Sequence, residues 1–337
     1  MLDTVREIGS VDTLIACRIT IAPKFAVNKP KITNAGMMRY TFEVKIIINN
    51  IDDPIGEKYP HTNFAQRYFT QMSKFKIHYI ELGYWKQTAK SNNRFYNLGI
   101  KDVDLITKDA KKNNACVIID YHYCSKDLNL YPKKDETPIS MIRITARKED
   151  LDAAIKFAKK LQEKTQLDLS FQIINSTNYS KVELSEVAKK FKNSNFLYLY
   201  FADSHGNLNL MDDYWKFEEA INIMKEHNFF TGFHLHNHTD RALLNYYYAK
   251  NKNINMTDTS ITGLGKGGGN LKLENVIINE NLLELLSFMK KEKKHLFIDD
   301  TNQLYFILSG RLGITDNYAK KAIQKNLSLE QFYEVAY

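Results

Sequence analysis

Phe229-Phe230-Thr231-Gly232-Phe233-His234-Leu235-His236-Asn237-His238 and, further along, Thr259-Ser260-Ile261-Thr262-Gly263-Leu264-Gly265-Lys266-Gly267-Gly268-Gly269-Asn270 decide how this chain is read. The first block is a strand rich in aromatics that ends in histidines. Side chains alternate faces along a strand, so His234 and His236 project to the same side, one pleat apart. Two imidazoles so placed can share one divalent cation through nitrogen; a partly exposed strand end is the plainer alternative. The second block is a glycine-dense turn, which lets backbone approach a ligand closely. Asn270 follows directly and can offer an amide oxygen. Gly263, Gly265 and Gly268 match the spacing of a dinucleotide fingerprint, but the early strand–helix position and the later acidic residue are lacking. No Lys-Ser/Thr pair closes the run, so it is not a Walker loop.

Working outward, strand patterns alternate with helical ones. A helix over 63–76 precedes a strand over 77–83 that carries Glu81. A helix over 103–112 leads to a strand over 115–121, and a polar loop over 125–138 leads to a strand over 140–144. Arg143 in that strand points at the core, where an aliphatic would pack better; it reads either as a carboxylate binder or as the ion-pair partner of Asp120 or Glu81. Helices over 151–164, 181–192 and 210–228 are interleaved with strands over 167–174 and 197–206, the latter ending in Asp203-Ser204-His205-Gly206. A helix over 241–250 and a strand over 256–261 complete the series. Such alternation predicts parallel βα units closed into an α/β TIM barrel, with the candidate residues at the carboxyl-terminal face. The acids and glycine between Asp203 and Asp213 do not fall at EF-hand positions, so a calcium loop is rejected.

The two quoted blocks together resemble the DRE-TIM metallolyase family, the pyruvate carboxyltransferase-like group. That group includes 4-hydroxy-2-oxovalerate aldolase, 3-hydroxy-3-methylglutaryl-CoA lyase and 2-isopropylmalate synthase. Residues 79–83, Tyr-Ile-Glu-Leu-Gly, resemble the family's second strand, and Asp203-Ser204-His205-Gly206 resembles the end of its sixth. The resemblance implies that His234, His236 and an aspartate ligate a divalent metal (Mg, Mn or Zn), with Asn270 a possible fourth ligand. It also implies an arginine that polarises the substrate carbonyl, and places Glu81, Arg143, Asp203 and Ser204 around the site. Met1-Leu2-Asp3-Thr4-Val5-Arg6-Glu7-Ile8-Gly9 resembles the strand-one signature, with one residue deleted and one added. On that alignment Asp3 is the ligand and Arg6 the polarising group, and residues 11–61 hold an inserted β-hairpin that pairs 13–21 with 38–46. The competing strand one is 42–53, a better β-former next to the first helix, which forfeits both residues. The first alignment is preferred here.

Length and composition set the outer limits. A chain of 337 residues that is 44% hydrophobic accommodates one barrel (1–275) and a helical C-terminal region (276–337). Leu282, Leu283, Leu285, Leu286, Phe288 and Met289 have amphipathic helical spacing in that region. Parts of it, including Leu304 to Gly310, resemble the tails of family members from polysaccharide-biosynthesis clusters. No apolar run is long enough to span a membrane, and no signal-peptide pattern opens the chain. Cys17, Cys116 and Cys124 are too few and scattered for a disulfide framework, which fits a reducing cytoplasm. The net charge of +8 comes from lysines mixed with acids along helices, and favours small acidic substrates over nucleic acid.

The expected chemistry is that of an aldolase or lyase acting beside a 2-oxo acid, where a chelated cation neutralises the developing enolate. His61, His122, His205 and His238 are the candidate general bases. An acyl-CoA condensing enzyme and a non-catalytic barrel with a degenerate site are the alternatives, and a homo-oligomer is possible.

Overall fold

The structure is a computed structural model that describes residues 41–45, 61–75, 77–85, 94–110, 114–192, 194, 196–254, 256–277, 279–296 and 302–336. Residues Arg39–Tyr337 form one compact unit.

Eight parallel strands close into a barrel in sequence order. They are β1 (Thr41–Lys45), β2 (Tyr79–Tyr84), β3 (Ala115–Asp120), β4 (Ile139–Ala146), β5 (Asp168–Ile173), β6 (Tyr198–Asp203), β7 (Phe230–Leu235) and β8 (Met256–Thr259). The barrel helices are α1 (His61–Met72), α2 (Ile100–Thr107), α3 (Leu151–Thr165), α4 (Lys181–Lys190), α5 (Leu210–Glu226) and α6 (Ala242–Asn251). Between β3 and β4 the connection is the expected polar loop, with two short 3-10 turns. The C-terminal region holds α7 (Asn279–Lys291), α8 (Gln303–Leu312), α9 (Asp316–Gln324) and α10 (Leu329–Ala336).

The eighth strand of the closure corrects one expectation. Thr41–Lys45 pairs in parallel with β2 through Glu43, Val44 and Lys45, and with β8 through Thr41 to Val44. These residues therefore occupy the strand-one place, and the antiparallel hairpin expected for 38–46 is not formed by them. A closed barrel leaves no edge, so a strand had to be found between β2 and β8; Thr41–Lys45, which precede α1 in sequence, supply it. Asp3 and Arg6, and the 13–21 arm of the expected hairpin, lie outside the described residues.

Period-two alternation sorts each strand into two faces. On β6, Leu199 and Phe201 face the helices, where Phe201 packs edge-on against Phe217 of α5 at 5.3 Å. Tyr198 and Tyr200 face the barrel axis with Tyr79, Cys116, Met141 and Met256. At the floor, Tyr79 Oη lies 3.1 Å from Asp168 Oδ2 and 3.2 Å from Tyr198 Oη. The helices form for local reasons as well. On α3, Leu151, Ala154, Ile155, Ala158 and Leu161 make one buried stripe at helical spacing. α4 opens with a capping box: Ser180 accepts from the Glu183 N–H, and the Glu183 carboxylate accepts from the Ser180 N–H at 2.9 Å. Arg67 of α1 grips Glu292 through two 2.8 Å hydrogen bonds, which ties the end of α7 to the barrel.

Candidate active site at the carboxyl-terminal mouth

A cavity of about 340 Å³ opens at the carboxyl ends of the strands. His234 and His236 from β7 and its exit, Asn270, Glu81 and Gln172 line its inner part. Tyr84, Phe95, Tyr96, Ile118 and Ile174 form an apolar wall, in which Tyr84 and Tyr96 stack nearly parallel at 5.0 Å. Burial, then the neighbouring Tyr96 and Glu81, push the Tyr84 phenol upward, so it is a hydrogen-bond donor at neutral pH.

The two histidines meet as alternation requires. Their rings are nearly perpendicular, and Nε2 of His234 lies 3.2 Å from Nε2 of His236. Two cis nitrogen ligands on one ion, each at about 2.0–2.1 Å, are separated by roughly 2.9–3.4 Å. Nδ1 of His234 is 3.0 Å from Asp258 Oδ2. A carboxylate at that distance favours the tautomer with the proton on Nδ1, which leaves the Nε2 lone pair facing the cavity.

Asp258 belongs to a buried ionic layer under the histidines. Arg143 is fully enclosed and donates to Asp258 Oδ2 at 2.7 Å, to Glu81 Oε2 at 3.0 Å and to Gln172 Oε1 at 3.1 Å. Its guanidinium also lies 4.8 Å from the Tyr200 ring centroid. Arg143 is thus an ion-pair partner of Glu81, one of its two sequence readings, and of Asp258. It does not line the cavity, which removes it as a direct carboxylate binder.

Asn270 is placed by the glycine run. It bridges to His236 in antiparallel fashion, and Leu271 N–H donates to Leu235 C=O at 3.0 Å, so the loop is stitched to β7. Nδ2 donates to Leu264 C=O at 3.0 Å, whereas Oδ1 is buried with no hydrogen-bond partner among the described residues. At Gly265 an added Cβ would fall 2.3 Å from Asn270 Nδ2, so a side chain there would expel the amide. Farther along, Gly267 has φ +63°, and a Cβ on it would meet His238 Nε2 at 2.3 Å.

Other expected site residues lie elsewhere. Asp203 is turned to the helix side of β6, where Oδ1 accepts from the N–H groups of Asn207 and Leu208 at 3.0 and 3.2 Å. It braces the β6–α5 turn and does not line the cavity; its neighbour Ser204 does. Burial pushes the Asp203 carboxyl up to about 7. His122 is exposed and ion-pairs with Asp150 at 3.1 Å. His205 and His238 are buried, burial drives the His238 imidazole down to about 4, and neither lines the cavity. The His61 side chain is outside the described residues. Asp258 was missed in the sequence, although an acid at an inward position of β8 was its available signal. Arg147, Lys266 and Lys320, at the cavity's outer part, were missed too.

The donor set around the histidines fits a divalent ion in part. Two imidazole nitrogens at ligand spacing, one of them on a ring beside the Asp258 carboxylate, and one orphaned amide oxygen are present. Among the described residues no cluster of three or more His, Cys, Asp or Glu side chains is placed to hold a metal ion.

Comparison with known proteins now bears on this mouth. Residues 139–299, which carry β4 to β8, both histidines, Asp258 and Asn270, match the HMGL-like family model. Just under half of the chain is thus similar to that family. Oxaloacetate decarboxylase of Mycobacterium tuberculosis (strain ATCC 25618 / H37Rv) is 24% identical over 136 residues, 40% of this chain. That match spans 39% of the relative's own length. Among solved structures, the N-terminal domain of a Bacteroides vulgatus protein assigned, not established, as an aldolase has a TM-score of 0.62 at 18% identity. The match covers 88% of this chain and 99% of that one. The carboxyl transferase domain of Rhizobium etli pyruvate carboxylase, solved with pyruvate, has a TM-score of 0.61 at 13% identity, covering 89% of this chain and 56% of that one. At these identities the structural likeness shows the TIM-barrel fold alone.

Proposed function

We propose that this chain is a metal-dependent lyase of the aldolase type that makes or breaks a carbon–carbon bond beside a 2-oxo acid. The observation that carries the proposal is the 3.2 Å approach of two Nε2 atoms, with the outer nitrogen of His234 held by Asp258. His234, His236 and the Asn270 amide oxygen would hold a divalent ion (magnesium, manganese or zinc). Asp3 and Arg6, read from the sequence as the carboxylate ligand and the polarising guanidinium, lie outside the described residues. When bound, such an ion supplies a Lewis acid for the carboxylate and carbonyl oxygens of the substrate.

The chain's own residues do the rest. Asp258 orients His234, and Arg143 holds Asp258 and Glu81 in fixed places. Glu81 reaches the cavity with its carboxylate anchored, and there can accept a hydrogen bond from a substrate hydroxyl. The wall of Tyr84, Phe95 and Tyr96 excludes water from the bond being made or broken. The C-terminal tail resemblance suggests sugar or polysaccharide biosynthesis as the setting.

A second reading has an observation of its own. Without an ion, His236 can donate its Nε2 proton to the His234 lone pair, and 3.2 Å suits that hydrogen bond as well. The barrel would then be a metal-free binding protein. Titration of chelator-stripped protein with Mn²⁺ or Zn²⁺ separates the two. Uptake of one ion per chain by the wild type, abolished in His236→Ala, is expected. Pyruvate release from 4-hydroxy-2-oxo acids, followed by a coupled assay, then tests the reaction. Wild-type protein that takes up neither metal establishes the second reading.

A further inference from the structure

The inner part of the cavity accounts for a 2-oxo acid, and three basic residues at its outer part are left over by that account. Arg147, Lys266 and Lys320 come from three separate places: past the end of β4, from the loop after β8, and from α9. Arg147 shares a strand face with Arg143 and follows it by four residues, roughly 13 Å further toward the mouth. It has five N–H donors in a planar fork, and Asp120 takes two of them, at 3.1 and 3.2 Å. Lys266 has three donors, and Asp316 takes one at 2.9 Å. Both cations are therefore held in place by acids yet keep donors in reserve. Thr315 and Asn317, beside α9's first turn, line the same end of the cavity and add polar donors. Among the described residues, Asp120 is the acid that lines this end, and Asp316 is buried against Lys266.

We infer that Arg147, Lys266 and Lys320 form an anion subsite, so the part of the substrate beyond the 2-oxo acid ends in a carboxylate or a phosphate. The planar guanidinium favours either group by two parallel hydrogen bonds, and the two ammonium groups supply the remaining contacts. The substrate is then dianionic at least, with one charge at the histidines and one under α9. This rests on the proposed 2-oxo acid reading for its inner half only.

Three 2-oxo acids that differ only in the tail read the subsite: 2-oxopentanoate, 2-oxoglutarate and 2-oxo-4-phosphonobutanoate. Calorimetric titration of the Mn²⁺-loaded protein is expected to show the two charged tails bound at least about tenfold more tightly than the neutral one. Whichever charged tail binds more tightly tells a carboxylate from a phosphate. Lys320→Glu should erase that preference and leave 2-oxopentanoate affinity as it was. Equal affinity for all three tails overturns the subsite and leaves the 2-oxo acid reading standing. A second measurement covers the case in which none of the three binds. Inorganic phosphate, observed by ³¹P line broadening with metal-free protein, should be broadened by the wild type and not by Lys320→Glu. That result alone keeps the subsite while rejecting the reading of the inner half; no broadening, together with no binding of the 2-oxo acids, overturns both.

Discussion

A neutral imidazole can carry its proton on either nitrogen, and the Asp258 carboxylate decides which one for His234. Its Oδ2 receives both the His234 Nδ1 contact at 3.0 Å and the Arg143 guanidinium at 2.7 Å, so charge and position are set together. Asp258→Asn keeps the shape and removes the charge that makes the imidazole basic. Metal affinity, measured by competition with a chromophoric chelator, should fall by roughly tenfold to a hundredfold. An unchanged affinity in a folded variant would remove Asp258 from the site. Arg143 presents the opposite case, a buried cation paired with two buried acids. Arg143→Met takes the guanidinium away from the enclosed Glu81 and Asp258, which costs about 3–5 kcal/mol. Urea denaturation should show that loss, and adding Glu81→Gln and Asp258→Asn should recover most of it. No recovery would mean that the guanidinium's packing against Tyr200 matters more than its charge.

Within one strand, a residue's parity decides whether it meets substrate or helix, and β6 illustrates the consequence. Tyr198, Tyr200 and Ser204 share the axial parity, while Asp203 sits on the other face under the β6–α5 turn. Enclosure raises its carboxyl to about 7, against about 3.9 for an unfolded aspartate. Between those two values the folded chain holds a proton that the unfolded chain has released. Stability from this group is therefore present in full below about pH 4 and lost as pH rises toward 7, by up to about 4 kcal/mol. Asp203→Asn mimics the protonated form, and its stability should be flat over that window when the wild type's falls. Parallel pH profiles for the two proteins would show that Asp203 is ionised throughout. The same parity rule made His234 and His236 legible from sequence, because a run of aromatic β-formers fixed the strand around them. It was not applied to β6, where family likeness drew Asp203 into the site, nor to β8, where Asp258 has the parity of Met256. Strand one was misplaced because the likeness of the N-terminus to a family motif outweighed the better β-forming pattern of 42–53, at whose start Thr41–Lys45 lies. What holds them is pairing with β2 and β8, which no local pattern reports.

At the scale of the molecule, the C-terminal helices complete the mouth, and their docking turns on a close contact. Gly310 of α8 faces His238, and a Cβ there would lie 2.7 Å from His238 Cβ and 3.2 Å from the His205 carbonyl oxygen. Neither neighbour has room to move, since His238 is also hemmed in by Gly206, Gly267 and Gly268. Gly310→Val should therefore wedge α8 away from the barrel at a cost of about 1–3 kcal/mol. The helices α8, α9 and α10 share a small core of their own around Ala319, Ala322 and Phe332, separate from the one that joins the barrel to its helices. The cost should thus be local. Amides in residues 303–324 should exchange hydrogen about tenfold faster or more, while β4 to β8 keep wild-type protection. Because Lys320 and Asn317 ride on α9, the charged-tail preference at the outer subsite should weaken in the same variant, with metal affinity unaltered. Uniform acceleration across strands and helices would show instead that the C-terminal region and barrel unfold as one unit, with α9 a fixed wall of the cavity.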